Sequence, residues 1–205
     1  MFITLEGGEG TGKTTQAVLL RHFLEEYGRK VITTREPGGT EGAEELRNIV
    51  CQGDVGKWSS LAETLIYYAA RRDHLEKVIM PALKNGVWVI SDRFADSTLA
   101  YQYYGYNKSG ISLNDLMTIH NVVLKGFSPD LTFILDVLPE LSLERVAEKQ
   151  RFEKMDIAFH KRLREGYLEI AKAEPQRCVI IDASQSIEEV SREIKDEVKK
   201  RFFKE

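Results

Sequence analysis

The stretch Phe2-Ile3-Thr4-Leu5-Glu6 followed by Gly7-Gly8-Glu9-Gly10-Thr11-Gly12-Lys13-Thr14-Thr15 constrains the fold more than any other part of the chain. A short apolar run leads straight into the spacing G-x-x-x-x-G-K-[ST], the pattern of a phosphate-binding loop, which requires a buried strand before it and a helix after it. Both flanks are legible. Val18, Leu19, Leu20, Phe23 and Leu24 form a helical stripe within Gln16 to Tyr27 that stops at Gly28. Such a loop rings a phosphate with backbone N–H groups and sets the positive end of a helix, about half an elementary charge, behind it. The pattern assigns Lys13 to the outer phosphates of a nucleoside triphosphate and the Thr14 hydroxyl to a magnesium ion. The plain alternative, an ordinary Gly-rich strand-to-helix turn, is the weaker reading against these flanks.

A chain of 205 residues can bury one sizeable core, so the prediction is a single domain over 1–205. Its net charge of -3 argues against a nucleic-acid polymer as partner, because such binders carry a strongly basic balance. The apolar N-terminal run is short and is followed by Glu6 and Glu9, unlike a signal peptide, and no apolar stretch is long enough to span a bilayer. Cys51 and Cys178 sit in apolar surroundings and read as reduced core thiols, which predicts a cytoplasmic protein.

Further along, Lys30 to Thr34 is a β-branched strand that breaks at Arg35-Glu36-Pro37-Gly38-Gly39-Thr40. Loops at the carboxyl ends of parallel strands line the ligand crevice, so this charged loop is expected to face the phosphate loop, with Pro37 a candidate cis proline; the alternative is a surface turn with solvated charges. Glu41 to Cys51 reads as a short helix, and Ser60 with Glu63 fits a capping box at the start of a helix running to about Leu83. Tyr67 and Arg71 are four residues apart on one face of it. Either they bind a planar ligand or the tyrosine is half-buried under a solvated arginine. Gly86 to Arg93 is a third strand, whose terminal Asp92 fits the slot of a magnesium-holding aspartate. Arg93 then stands at the same crevice, where a guanidinium clamps phosphate oxygens bidentately; a salt bridge between the two neighbours is the alternative. Ser97, Thr98, Tyr101 and Gln102 cluster at helical spacing with the polarity of a base or sugar pocket. Strands over 131–136 and 177–182, and helices from Ser112, Pro139, Met155 and Ile187, complete an alternation of five strands with helices. That is a three-layer α/β fold with a five-stranded parallel sheet. Between the helices near Val146 and Met155, periodicity falters where Arg145, Lys149, Arg151 and Lys154 crowd together. A charge run is usually a solvated face, but in phosphoryl transfer a segment such as 146–155 would be a lid carrying neutralising cations.

Leu5-Glu6-Gly7, Arg35-Glu36-Pro37-Gly38-Gly39-Thr40, Asp92-Arg93-Phe94 with Ser97 and Ala100-Tyr101-Gln102, and Phe159-His160 to Gly166-Tyr167-Leu168 resemble, in this order over nearly the whole chain, the bacterial thymidylate kinases. The resemblance implies a P-loop kinase fold and transfer of the γ-phosphoryl group of ATP to dTMP, with magnesium, in a homodimer. It implies that Glu9 holds the deoxyribose 3′-hydroxyl and that Tyr67 stacks on the base, where the family usually has Phe. It gives Arg71 the thymine carbonyl and Arg93 the bridge between acceptor and donor phosphates. Thr98 and Gln102 fall at base-side positions, and Tyr101 packs against C2′ of the sugar. Arg145 with the Ala183-Ser184 turn resembles the adenine site.

Gly10 stands where one branch of the family carries an arginine, so the catalytic cation is expected from the lid. Gln150 replaces an aspartate that often precedes Arg-Phe-Glu, which makes Arg151 the first candidate and Lys149 the second. The runner-up is another (deoxy)nucleoside monophosphate kinase on the same scaffold. From a different class, a nucleotide switch is disfavoured because Asn107-Lys108 is followed by Ser109-Gly110 rather than by the aspartate of a guanine site.

Overall fold

The computed structural model describes residues 1–54, 56–146 and 151–203. Strands β1 (Phe2–Glu6), β2 (Val31–Arg35), β3 (Trp88–Asp92), β4 (Leu131–Asp136) and β5 (Cys178–Asp182) form one parallel sheet in the order β2-β3-β1-β4-β5. The helices are α1 (Lys13–Glu26), α2 (Glu41–Cys51), α3 (Ser60–His74), α4 (Met80–Lys84), α5 (Ala95–Leu99), α6 (Leu113–Leu124), α7 (Pro139–Glu144), α8 (Ile157–Ala173) and α9 (Ile187–Phe202).

β1 is central and wholly buried, as its uninterrupted apolar run requires in a sheet covered on both faces. Ile3 and Leu5 pack with Leu20, Leu24, Ile194 and Val198 of α1 and α9, while Phe2 packs on the other face with Leu75, Ile79 and Phe94. α8 closes that second face near β4 and β5 through Phe159, Leu163, Tyr167 and Ile170. The chain leaves β1 between β3 and β4, a point where connections diverge to opposite sides, and parallel α/β sheets hold their ligands there.

Two local readings change. The helix expected from 60 to about 83 is interrupted by a wide π-type turn at Leu75–Ile79, just before Pro81. Pro81 has no N–H to donate to the preceding turn and its ring crowds that turn's carbonyl, which favours widening there. Ser59, not Ser60, caps α3 by accepting from Ala62 N; Ser60 donates instead to Gln102 Oε1 at 3.0 Å, and Glu63 is buried with a partner far along the chain. A true capping box, Ser186 with Glu189, starts α9. The Glu36–Pro37 peptide is cis. Of the two cysteines, Cys178 is a buried core thiol as expected, whereas Cys51 is half-buried at the edge of a cavity.

Candidate active site

The phosphate loop wraps the start of α1, and an open cleft around it is lined by Glu9 to Thr15, Asp92, Arg93, Arg145 and the turn Gln185-Ser186-Ile187. Lys13 is buried and folds back on the loop, donating to Gly8 O at 2.6 Å, Gly7 O at 3.2 Å and Thr11 Oγ1 at 3.3 Å. Burial, and then the nearby Arg93 charge, press its ammonium down to a pKa of about 8 against the pull of Glu9, Asp92 and Glu6. An incoming polyphosphate would supply the counter-charge that this ammonium lacks. At the mouth, Thr14 Oγ1 donates to Asp92 Oδ2 at 2.6 Å. A hydroxyl and a carboxylate oxygen side by side suit a hard dication that completes its shell with phosphate and water, so these two residues fit magnesium. Arg145 donates to Ala183 O at 3.1 Å, and Gln16 holds the following turn by donating to Ile187 O at 3.0 Å. Ser184 bonds back to Asp182.

Beyond the loop lies a second cavity of about 260 Å³, lined by Glu36, Pro37, Tyr67, Arg71, Phe94, Ser97, Thr98, Tyr101 and Phe152 among others. Arg71 is not the solvated arginine of the alternative reading. It is 3% exposed, and its Nε donates to Glu36 Oε2 at 2.6 Å, Nη1 to Thr98 Oγ1 at 3.0 Å and Nη2 to the Phe94 carbonyl at 2.9 Å. Glu36 is shared with His74, whose Nδ1 lies 3.0 Å from Oε1, while Nε2 lies 2.7 Å from Thr34 Oγ1. The Arg-Glu-Pro-Gly-Gly loop and the last turn of α3 are thus tied by one buried cation–anion–imidazole chain. Burial alone would lower the Arg71 pKa, but Glu36 raises it, so the guanidinium is fully charged at the cavity wall. Gln102, expected at the base, is buried against Ser60.

Glu9 and Arg93 line both the loop cleft and this cavity. Arg93 does not pair with its neighbour Asp92; its Nη2 lies 2.8 Å from Glu9 Oε1 and 3.1 Å from the Tyr101 hydroxyl, and its Nη1 donates to Gly7 O at 2.8 Å. Tyr101 also donates to Glu9. Burial works against ionising Glu9, yet Arg93 and Lys13 outweigh it and take its pKa down to about 2. Arg93 has φ 71°, the left-handed region that an arginine enters only when its surroundings hold it there. Three bonds do so: Arg93 N to Leu5 O at 2.9 Å, Ser91 Oγ to Arg93 O at 2.7 Å, and Phe94 N to Glu6 Oε1 at 2.8 Å. Glu6 itself is buried, and burial with repulsion from Asp96 pushes its carboxyl up to about 7.

A cation and an anion shared by two adjoining clefts, one built for a polyphosphate, are the geometry of group transfer between two phosphorylated molecules. Residues 5–194 match the family model described as thymidylate kinase. A thymidylate kinase of Caulobacter vibrioides is 49% identical over 204 residues, covering 98% of this chain and 97% of that one. One of a Synechococcus species is 47% identical, covering 99% and 97%. The crystal structure of thymidylate kinase from Ehrlichia chaffeensis superposes with a TM-score of 0.79 at 39% identity, covering 97% and 98%. The chain belongs to the thymidylate kinase family. It is a phosphotransferase with the five-stranded P-loop kinase fold.

Within this thymidylate kinase fold, Gly10 has a steric cause. At φ 69°, a Cβ added there would fall 1.9 Å from the Ser142 carbonyl oxygen, so the end of α7 rests on the loop where an arginine side chain would have to leave. Lys149 lies outside the described residues. Arg151 is 3% exposed; its Nη1 donates to Glu63 Oε1 at 2.5 Å and to the Val50 carbonyl at 2.9 Å. It reaches the second cavity rather than the loop cleft, and its neighbour Phe152 packs edge-on to Tyr101 with ring centroids 4.9 Å apart. Among the residues that escaped the sequence reading are Glu63, Phe152 and Arg47, the last reaching both clefts and donating to Pro37 O at 2.8 Å. A charge on an amphipathic helix looks solvated whether or not the fold brings it a partner, so periodicity held no signal for Glu63 or Arg47.

Proposed function

We propose that this chain transfers the γ-phosphoryl group of ATP to dTMP, giving dTDP and ADP, with magnesium held at Thr14 and Asp92. The observation that carries the reading is Arg93, whose single guanidinium faces both the loop cleft and the adjoining cavity while Glu9 and Tyr101 hold it from one side. The loop cleft takes ATP: residues 7–15 cradle its phosphates and Lys13 leaves the loop carbonyls for the outer ones. Arg145 and the turn after β5, at Ala183 and Ser184, take the adenine end. The cavity takes dTMP with its base between Tyr67 and the Arg71–Thr98 edge, its sugar beside Glu9 and Tyr101, and its phosphate toward Arg93 and Arg47. Glu36 and Pro37 close the near wall, Ser97 stands below Arg93, and Gln102 supports α3 from behind.

An oxygen of the dTMP phosphate forms the new bond to the γ-phosphorus as the β,γ-bridging bond breaks, and that electron pair leaves on ADP. The attacking oxygen is already anionic at neutral pH, so no side chain need remove a proton; the protein's work is alignment and charge neutralisation. Bound magnesium would draw charge from the donor's outer phosphates. Lys13 and Arg93 supply the fixed cations. Arg151, neutralised by Glu63, holds segment 151–155 over the cavity, and Phe152 helps to exclude water that would otherwise accept the phosphoryl group. Lys149 is then the remaining lid candidate for a mobile cation. Exposed Leu61 and Leu65 on α3 and Leu113 and Val122 on α6, two helices packed side by side, support a homodimer through that face. No helix among the described residues is long and apolar enough to cross a membrane. The free thiols Cys51 and Cys178 support a cytoplasmic enzyme.

The test is a panel of acceptors (dTMP, dUMP, UMP, dCMP, dAMP and water) assayed for ADP release from ATP. Fast turnover is expected with dTMP, with the others well below it. Equal rates across the panel, or release that ignores the acceptor, would sink the assignment. Tyr101→Ala opens the space beside the sugar and should raise the relative rate with UMP by about tenfold, the scale of a one-group steric discrimination. Selectivity that stays put would show that the sugar is read elsewhere.

A further inference from the structure

Glu6 ends β1, and its side chain is fully buried. Besides accepting the Phe94 N–H, it accepts the Ser97 hydroxyl at 2.5 Å through Oε2. Ser97 Oγ in turn lies 2.8 Å from the Tyr167 hydroxyl, and both of these oxygens accept from Arg93 Nη1 at 3.1 Å. A serine hydroxyl has one hydrogen and two lone pairs. While the Glu6 carboxyl is ionised that hydrogen is committed to it, and Ser97 can only accept from Tyr167 and Arg93. Tyr167 must then donate to Ser97, which leaves its own lone pair for Arg93. One buried carboxylate therefore fixes the direction of a chain of hydroxyls, so that oxygen lone pairs face the guanidinium. Its other oxygen tethers the residue next to Arg93, whose backbone is in the left-handed region.

We propose that Glu6 is a positioning residue for Arg93: through Ser97 and Tyr167 its carboxylate sets the hydroxyl polarity that holds the Arg93 fork between the two substrate clefts. Glu6 touches no reacting atom. The proposal rests on the reading of Arg93 as the bridge between donor and acceptor phosphates. A glutamine at position 6 would keep the shape and the acceptor for Phe94 N–H, yet present an N–H to Ser97. The Ser97 hydrogen would then turn to Tyr167, stripping that hydroxyl of its acceptor, or to Arg93, setting donor against donor. In a buried network such a reversal spreads beyond one bond.

Steady-state kinetics of the full chain with ATP and dTMP tests this. Glu6→Gln and Ser97→Ala should each lower kcat at least about tenfold with KM for ATP within about threefold, as expected when an interaction made in the transition state is lost. Because both act through one chain, the double variant should lose no more than the worse single one. A side chain needed only for folding would give no such non-additivity. A smaller loss in either single variant, or losses that multiply in the double, overturns the proposal. If Glu6→Gln fails to fold by circular dichroism, Ser97→Ala and Tyr167→Phe carry the test, and an unchanged kcat in either overturns it. Wild-type protein without dTMP-dependent ADP release would instead refute the functional reading, and with it the role of Arg93 that Glu6 is proposed to support.

Discussion

Arg93→Ala is expected to lower kcat with ATP and dTMP by about 10²- to 10⁴-fold, the range seen when a fixed donor to transition-state charge is removed. The geometry explains why the loss should be large. The guanidinium is 14% exposed, is charged by its neighbours and is held in place by Gly7 O, Ser97, Tyr167, Tyr101 and Glu9, so little reorganisation stands between the resting site and the reacting one. Alanine removes the charge and also frees Glu9, whose low pKa depends on Arg93 after burial has been overcome. Two carboxylates, Glu9 and Asp92, would then face anionic substrates with one fewer fixed cation, Lys13 being the one left beside them on the phosphate loop. Arg93→Lys should recover little, because an ammonium cannot span two phosphates as a planar fork does. Single-turnover measurements at saturating substrate isolate the chemical step, and a rate within threefold of wild type would remove Arg93 from it.

Glu36→Ala is expected to destabilise the ligand-free protein by about 3–5 kcal/mol, the cost of stranding one member of a buried ion pair. Arg71 and His74 are 3% and 0% exposed, and both direct a ring or guanidinium nitrogen at Glu36. Without the carboxylate, Arg71 would lose this anionic partner and keep neutral ones, the Thr98 hydroxyl and the Phe94 carbonyl among them. Urea unfolding at neutral pH checks the size of the effect. Glu36→Gln, which keeps one acceptor, should fall between wild type and alanine. A loss below about 1 kcal/mol for alanine would mean that water reaches the pair, since exposed pairs contribute that little. The same variant should weaken dTMP binding, because Arg71 forms part of the cavity wall that Glu36 orients.

Much of this arrangement was legible in the residues. The five strands are short apolar runs with Gly or Pro at their ends, and the phosphate loop declares itself by spacing. What the chain does not advertise is partnership across long separations. Glu63 looks like the third residue of a capping box, yet it meets Arg151, 88 positions away. Arg151 looks like a free lid cation for the same reason. Gln102 sits at a spacing suited to a ligand, but Ser60, 42 positions earlier, takes its oxygen. Glu6 reads as the polar end of a buried strand, and only the neighbouring α5 and α8 reveal what it holds. The resemblance to the family supplied roles for Tyr67 and Arg71, between which spacing alone could not decide.

The left-handed turn at Arg93 acts as a ruler. On the proposed reaction Asp92 serves the donor side with Thr14 and the next residue turns toward the acceptor side, so consecutive Cα atoms, about 3.8 Å apart, would register the two substrates against each other. That interval is covalent. Lid, loop and helix can drift in sequence or in solution and alter how well each substrate is gripped. The backbone anchor of the two grips changes only if the end of β3 itself is rebuilt, while the Arg93 fork still depends on the bonds that hold it.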